Sequence, residues 1–216
     1  MNQLIEILLL APPILLALTF HEYAHAYVAN RLGDPTAKSL GRLSLNPLVH
    51  LDLLGTAMLF LVHIGWAKPV PVNPFYFKNP KRDLLWVSLA GPGANMLLAV
   101  LFGLAIRGLG DDALAGTSSS FLNAFKIMLI FGLVINIALA VFNILPIPPL
   151  DGSKILIGLM PQRYEHHLEP FLKYGPTILI AIILIGFVGK FHILGLIINP
   201  FVRFFSSLLA GVDLDL

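Results

Sequence analysis

Two histidines and a glutamate near the amino terminus have the spacing of a metal site. His21, Glu22 and His25 form the pattern H-E-x-x-H, and on a helix this four-residue spacing places both imidazoles on one face, one turn apart. Imidazole is a good zinc ligand, and a carboxylate beside the metal can accept a proton from a water whose pKa the metal lowers to about 7. The pattern therefore predicts zinc-dependent hydrolysis, with His21 and His25 as ligands and Glu22 as general base.

The residues before this pattern indicate that it lies in a membrane. Between residues 5 and 20 the sequence contains a single charge, Glu6. Ionisable side chains are costly inside a bilayer, so a cluster of three is expected to be functional and to have partners. The alternative interpretation is a polar cluster that packs between helices without a metal ion.

The composition of the whole chain is that of an integral membrane protein. Of its 216 residues, 57% are hydrophobic and only 12% are charged, and this apolar fraction exceeds that of soluble domains. No polar stretch is long enough for a second domain, so we expect one membrane-embedded domain over 1–216, with a core at about 12–160 and accessory membrane segments at 161–216. The basic residues are dispersed, which argues against a nucleic acid partner.

A third zinc ligand must come from histidine or carboxylate, because the chain contains no cysteine and catalytic zinc usually has three protein ligands. The longer zinc pattern with a third histidine is not matched, and the next glutamate in the chain is Glu165, in a charged stretch. Asp151 is the best candidate, since it follows a long apolar helix at a proline break. Irregular backbone at membrane depth is tolerated where it is buried in protein or lines a wet cavity. His50 and Asp52 are the competing candidates.

Four apolar stretches must position these residues as membrane-crossing helices. If all four cross, eleven of the fourteen lysines and arginines fall on one side, and Arg107, Lys126 and Lys190 fall on the other. By the positive-inside rule, the end of the first helix and Asp151 then both face the cytoplasm. The four predicted helices are 12–31, 83–107, 121–143 and 174–189, and the second is expected to be interrupted around Gly91-Pro92-Gly93. A further apolar stretch covers 192–210.

The connecting segments are predicted to be irregular. Residues 31–47 are typical of a loop with a short strand or hairpin. Both flanks of 48–66 are basic, so this stretch is expected to re-enter the membrane or form a hairpin. Residues 67–82 contain four prolines and are expected to be extended. The sequence thus predicts an all-α polytopic membrane protein with re-entrant and extended, β-like segments and additional C-terminal helices.

Three motifs, in this order, resemble the site-2 protease family of intramembrane zinc metalloproteases. They are H-E-x-x-H at 21–25, Ala-Gly-Pro-Gly-Ala-Asn at 90–95, and Asn143-x-x-Pro146 leading to Leu150-Asp151-Gly152. The resemblance covers roughly residues 12–160 and is to the short members of the family, which lack a PDZ or CBS domain. It implies a three-helix catalytic core formed by 12–31, 83–107 and 121–151.

The resemblance also implies roles for individual residues. His21, His25 and Asp151 would bind one zinc ion, Glu22 would be the general base, and Asn143 would help to hold the substrate. Without the resemblance, Asp151 could simply stop a helix, and Asn143 could cap its own helix end or bond to a neighbouring helix. Asn95, beside two glycines, is interpreted as a packing and interhelical hydrogen-bond residue.

The expected activity is cleavage of transmembrane protein substrates within the lipid bilayer of a prokaryotic cell membrane, on its cytoplasmic side. The extended stretches near 39–46 and 68–74 could receive an unwound substrate by strand addition. An oligomer is not predicted. The alternative function is a zinc-binding membrane transporter or sensor without peptidase activity.

Overall fold

A computed structural model describes residues 3–62, 65–109, 120–161, 163–164, 168–189 and 193–211 of the chain. This part of the chain contains eight α-helices. Their bounds are Gln3–Arg31 (α1), Thr36–Ser39 (α2), Leu53–Val62 (α3), Pro80–Leu109 (α4), Ser120–Ile144 (α5), Asp151–Leu159 (α6), Glu169–Gly189 (α7) and Ile193–Ala210 (α8). Within the described ranges, the β pairing consists of one isolated antiparallel bridge, between Leu51 and Ala67.

Among the described residues, four helices are long and apolar enough to cross a membrane: α4, α5, α7 and α8. Helix α1, which contains the predicted span 12–31, is not one of them, whereas α8, which the prediction left outside its four spans, is. The outward faces of the four helices carry exposed leucine and isoleucine, among them Leu97, Leu101, Leu104, Ile180 and Leu184. Such an apolar surface suits contact with lipid. A helix also needs no hydrogen-bond partners from the lipid, because its backbone groups bond to one another. The predicted class is confirmed: the chain is an all-α multi-pass membrane protein.

The main apolar core lies between α4, α5 and α8. Its buried members are Ala99, Ile106, Leu129, Leu133, Ile137, Val202 and Ala210. At one end of this core, Arg107 of α4 donates hydrogen bonds to the carbonyls of Leu208 and Leu209 at 2.8 and 2.7 Å. These carbonyls belong to the last turn of α8, where no intrahelical donor remains, so Arg107 ties the ends of α4 and α8 together.

Helix α1 begins earlier than the sequence predicts. It was expected to begin near Pro12, but it starts at Gln3 and continues through Pro12 and Pro13. Each proline removes one backbone N–H, yet membrane helices tolerate proline where neighbouring groups satisfy the freed carbonyls. Beyond Pro13 the helix is unbroken to Arg31, and it packs against both α4 and α5. The three helices of the predicted core are therefore in mutual contact.

Helix α4 corrects a second expectation. The predicted interruption at Gly91-Pro92-Gly93 is absent, since α4 is one continuous helix from Pro80 to Leu109. Pro80 stands in its first turn, where no N–H is needed, and the Asp83 carboxylate accepts a hydrogen bond from the Asn79 N–H at 3.0 Å. Gly91 and Pro92 are buried, so the small residues serve close helix packing.

The segment between α1 and α4 folds back on itself. The strand or hairpin expected near residues 43–45 is not formed; the chain there is loop, followed by a 3-10 turn at Pro47–Val49. The bridge between Leu51 and Ala67 brings the two ends of the α3 segment together, which is the arrangement expected of a hairpin or re-entrant segment. Residues 68–73 are extended and lead to a second 3-10 turn at Pro74–Tyr76.

Candidate metal centre

The three predicted ligands, His21, His25 and Asp151, lie together although they are distant in sequence. The Nε2 atoms of His21 and His25 are 3.0 Å apart. The Oδ2 atom of Asp151 is 3.3 Å from His21 Nε2 and 3.0 Å from His25 Nε2. All three side chains are buried. Two nitrogen donors and one oxygen donor therefore converge on a single point.

These donor distances fit a zinc ion. In a tetrahedral site with bonds of about 2.0–2.1 Å, neighbouring ligand atoms are about 3.3–3.4 Å apart. The observed separations are 3.0–3.3 Å, so an outward shift of a few tenths of an ångström at most would accommodate the ion. Two imidazoles and a carboxylate are also a ligand set that zinc uses in catalytic sites. Among the described residues, this is the group of histidine and acidic side chains close enough to share a metal.

Helix α4 orients both imidazoles through hydrogen bonds to their Nδ1 atoms. His25 Nδ1 donates to the backbone carbonyl of Val87 at 2.7 Å, and His21 Nδ1 donates to Asn95 Oδ1 at 2.6 Å. Because a carbonyl oxygen can only accept, Nδ1 of His25 carries the proton and its Nε2 is left as a lone-pair donor. Partners of this kind fix the ring orientation and raise the basicity of metal-binding histidines.

Asn95 belongs to a buried network that connects three helices. Its Nδ2 donates to the Ala17 carbonyl of α1 at 3.1 Å and to Asn136 Oδ1 of α5 at 2.9 Å. Asn136 Nδ2 in turn donates to the Gly132 carbonyl at 2.8 Å. Both asparagines are fully buried. The network fixes Asn95 Oδ1 as the acceptor for His21.

Gly91 provides the space that the two imidazoles occupy. A Cβ atom at this position would overlap His25 Nε2 and would lie 2.6 Å from His21 Cε1. Any side chain at Gly91 would therefore displace the histidines. The sequence predicts a helix break at this glycine, whereas in the structure Gly91 lies within α4 and makes room for the two imidazoles.

Asp151 is the first residue of α6, where a carboxylate is stabilised by the positive end of the helix dipole. Its Oδ1 atom lies 3.4 Å from Lys154 Nζ, while Oδ2 faces the histidines. A carboxyl group must be ionised to bind a metal, and the position of Asp151 at the start of α6, beside Lys154, favours that form.

Gly152 explains how Asp151 comes so close to α1. A Cβ atom at Gly152 would overlap the backbone carbonyls of Ile144 and Leu145. The chain can therefore turn tightly from the end of α5 into α6 because residue 152 has no side chain.

Glu22, the predicted general base, is held by the extended segment that precedes α4. Glu22 is buried, and its Oε2 atom accepts a hydrogen bond from the Val70 N–H at 2.8 Å. Glu22 follows His21 directly on α1, so it stands beside the group of three ligands. Its catalytic role stays a prediction.

The remaining candidates have other contacts. Asn143 Nδ2 donates to the Leu139 carbonyl of its own helix at 3.0 Å, and its substrate role stays a prediction. His50 Nε2 hydrogen-bonds to the Ser44 carbonyl at 2.8 Å. Asp52 accepts from the Gly55 N–H at 2.8 Å, at the start of α3. In the described part of the chain, neither joins the group of three, so the geometry favours Asp151 as the third ligand.

Sequence comparisons agree with this arrangement. The family model of peptidase family M50 matches residues 9–186. YwhC of Bacillus subtilis strain 168, named as a zinc metalloprotease, is 41% identical over 165 residues, which are 75% of this chain and 74% of that protein. Rip2 of Mycobacterium tuberculosis strain H37Rv, also named as a zinc metalloprotease, is 33% identical over 178 residues, 79% of this chain and 64% of that protein.

A third relative, MJ0611 of Methanocaldococcus jannaschii, carries the same kind of name. It is 41% identical over 137 residues, which are 63% of this chain and 63% of that protein. The chain thus spans about two thirds of the length of the mycobacterial and archaeal relatives. No solved structure gives a significant match.

Proposed function

This chain belongs to peptidase family M50, the site-2 protease family, and from that premise we propose that it is a zinc metalloendopeptidase that cleaves peptide bonds in or near transmembrane segments. The observation that carries the proposal is the convergence of His21, His25 and Asp151 beside Glu22. The helices that bring them together are α1, which packs against two candidate membrane spans, and α6, which follows one of them.

His21, His25 and Asp151 would hold the zinc ion. When bound, zinc would lower the pKa of a water molecule and polarise the peptide carbonyl. Asn95 and the Val87 carbonyl hold the two imidazoles in the orientation that binding requires. Asp151 would contribute a negative charge that partly balances the charge of the ion.

Glu22 would move the proton. Its carboxylate would accept the proton of the attacking water and then deliver it to the amine that leaves when the peptide bond breaks. The Val70 N–H donates to Oε2 of this carboxylate, so the other oxygen, Oε1, is the one assigned to proton transfer. Glu22 would carry out both transfers.

The expected substrates are transmembrane protein segments, because the helices that carry the site pack against candidate membrane spans. His25 lies six residues before Arg31, the end of α1, or about 9 Å at 1.5 Å per residue. The site is thus buried but close to one surface. A transmembrane helix uses its carbonyls in its own hydrogen bonds, so the substrate would have to unwind before cleavage.

We further propose that this surface is the cytoplasmic face of a prokaryotic cell membrane. The three relatives are prokaryotic proteins. The excess of lysine and arginine on the side that carries the end of α1 supports a cytoplasmic orientation.

Purified protein mixed with a panel of single-span peptides tests the proposal. Wild type is expected to contain zinc and to cleave at least one peptide. Glu22→Gln should keep zinc and lose at least about a hundredfold in cleavage rate, since general acid–base catalysis contributes on that scale. Asp151→Ala should lose zinc and cleavage together.

Two outcomes would contradict the proposal. Substantial cleavage by Glu22→Gln would remove Glu22 from the mechanism. Zinc transport into proteoliposomes by wild-type protein that cleaves no peptide would instead favour a transporter.

A further inference from the structure

The extended segment Lys68–Asn73 passes directly beside Glu22. We propose that this segment is a clamp that positions the Glu22 carboxylate for proton transfer through the backbone N–H of Val70. The inference rests on the proposed peptidase function and assigns a positioning role to Val70, which no motif indicates.

Both ends of the clamp are anchored to buried groups. The Lys68 N–H donates to the His50 carbonyl at 2.8 Å, and the Lys68 carbonyl accepts from Arg42 Nη2 at 2.6 Å. At the other end, the Asn73 N–H donates to Asp34 Oδ2 at 2.7 Å. His50 and Asp34 are 1% and 0% exposed. The segment is therefore fixed on either side of Val70.

One anchor is tied to the helix that carries Glu22. The Asp34 N–H donates to the Ala29 carbonyl of α1 at 2.9 Å. Asp34 Oδ1 accepts from the Thr36 N–H at 2.9 Å, which leaves Oδ2 directed at Asn73. The clamp is thus held in a defined position relative to α1, and hence to Glu22.

The sequence of the segment makes it stiff. Pro69 and Pro71 stand on either side of Val70. Proline fixes its own φ at about −65° and restricts the residue before it to extended conformations. Few backbone angles are left to vary around the Val70 N–H, so the donor has a nearly fixed direction.

The hydrogen-bond pattern argues against the strand-addition role predicted for this segment. Residues 68–73 have four N–H groups, because two of the six residues are proline. Three of the four are used inside the protein, by His50, Glu22 and Asp34. An edge with so few donors is a poor template for an added strand. The segment serves Glu22 rather than the backbone of a substrate.

A hydrogen-bond donor held in a fixed position beside the general base should speed turnover. Hydrogen bonds from N–H groups to carboxylates are short and strong, and the observed distance is 2.8 Å. A catalytic group already held in its working orientation needs no reorganisation during the reaction. Loss of this bond should therefore slow turnover without weakening substrate binding or metal binding.

Val70→Pro replaces the N–H with a ring carbon, which removes this donor and pushes the Glu22 carboxylate away from it, while the resulting run of three prolines keeps the backbone extended. The expected result is a kcat that is about tenfold to hundredfold lower, because small misplacements of catalytic groups cost on this order, with KM and zinc content as in wild type. Val70→Ala keeps the N–H and should recover most of the turnover. Wild-type kcat in Val70→Pro, or an equal loss in Val70→Ala, would overturn the proposal.

Hydrogen exchange gives a readout that does not depend on cleavage. A peptide spanning 68–73 reports few amides, so the loss of protection at one of them is measurable. Glu22→Ala should accelerate exchange in this peptide, whereas Glu22→Gln, whose side-chain carbonyl still accepts, should not. A peptide from α5 serves as the folding control and should be unaffected in both variants.

The two measurements separate the clamp from the peptidase function. Unchanged exchange in Glu22→Ala would show that Val70 is not bound to Glu22 and would overturn the clamp. Faster exchange in Glu22→Ala, together with wild-type protein that cleaves no peptide, would keep the contact and refute the proposed function.

Discussion

Asn95 uses both ends of its amide to hold the metal centre. Its oxygen accepts from His21, and its nitrogen donates to Ala17 and Asn136. If the amide turned over, an N–H would face the Nδ1–H of His21, and the two donors would repel each other. Asn136 prevents this turn because its own oxygen requires a donor. The orientation of His21 therefore depends on a residue of α5 that does not touch it.

We predict that Asn95→Leu weakens zinc binding. The substitution keeps a side chain of similar length but leaves His21 Nδ1 buried without an acceptor, and loss of such a partner typically costs 10- to 100-fold in metal affinity. Zinc affinity can be measured by competition with a chelator. Ser206→Ala is the control, since Ser206 lies on α8 and its buried hydroxyl has no hydrogen-bond partner in the described part of the chain. Wild-type affinity in Asn95→Leu would contradict the prediction.

At the scale of residues, the sequence predicts those parts of the site whose chemistry depends on the type of side chain. The H-E-x-x-H spacing and the proline break before Asp151 sufficed to propose the ligands that the structure brings together. Asn136 and the Val87 carbonyl could not be proposed. A buried asparagine in an apolar helix signals an interhelical bond, but its partner depends on how the helices pack, and a backbone carbonyl has no signature in sequence.

At the scale of elements, the close approach of α1 and α4 creates the centre. α4 supplies the partners of both histidines, and Gly91 allows its backbone to face the imidazoles directly. The sequence prediction interpreted Gly91-Pro92-Gly93 as a break, and Pro12-Pro13 as a helix start. Glycine and proline commonly end helices in water, but a packed membrane helix retains its structure across them. Local sequence therefore could not distinguish a break from a contact surface.

We predict that Gly91→Ala abolishes zinc binding and cleavage. The added methyl group would overlap the imidazole of His25. Helix α4 cannot move away from α1 without breaking the hydrogen bonds that its Asn95 and Val87 accept from the two histidines. Gly93→Ala is a closely matched control, because a Cβ there meets none of the described residues within 4 Å. It should retain zinc, and alanine should favour the helix by up to about 1 kcal/mol. Equal zinc content in the two variants would refute the steric role of Gly91.

At the scale of the molecule, the centre joins two distant parts of the chain. His21 and His25 come from the first helix and Asp151 from the turn after α5, and the family match over residues 9–186 includes both. The resemblance to site-2 proteases drawn from three motifs is thus confirmed. The membrane class followed from composition alone, whereas the meeting of the two parts was proposed from residue types with His50 and Asp52 as competitors, and the resemblance then favoured Asp151.

Because the metal would bridge elements that separate on unfolding, we predict that zinc stabilises the folded protein. A ligand that binds only the folded state adds about 2.7 kcal/mol to the free energy of unfolding when its concentration is 100 times its Kd. Adding zinc to chelator-treated protein should therefore raise its Tm in a thermal scan. Asp151→Asn keeps the size of the side chain but loses its charge, and it should lose most of the zinc-dependent shift. Glu22→Gln, which leaves the ligands intact, should keep the shift. The same shift in wild type and Asp151→Asn would show that zinc binds elsewhere, because a site that joins α6 to α1 depends on that carboxylate.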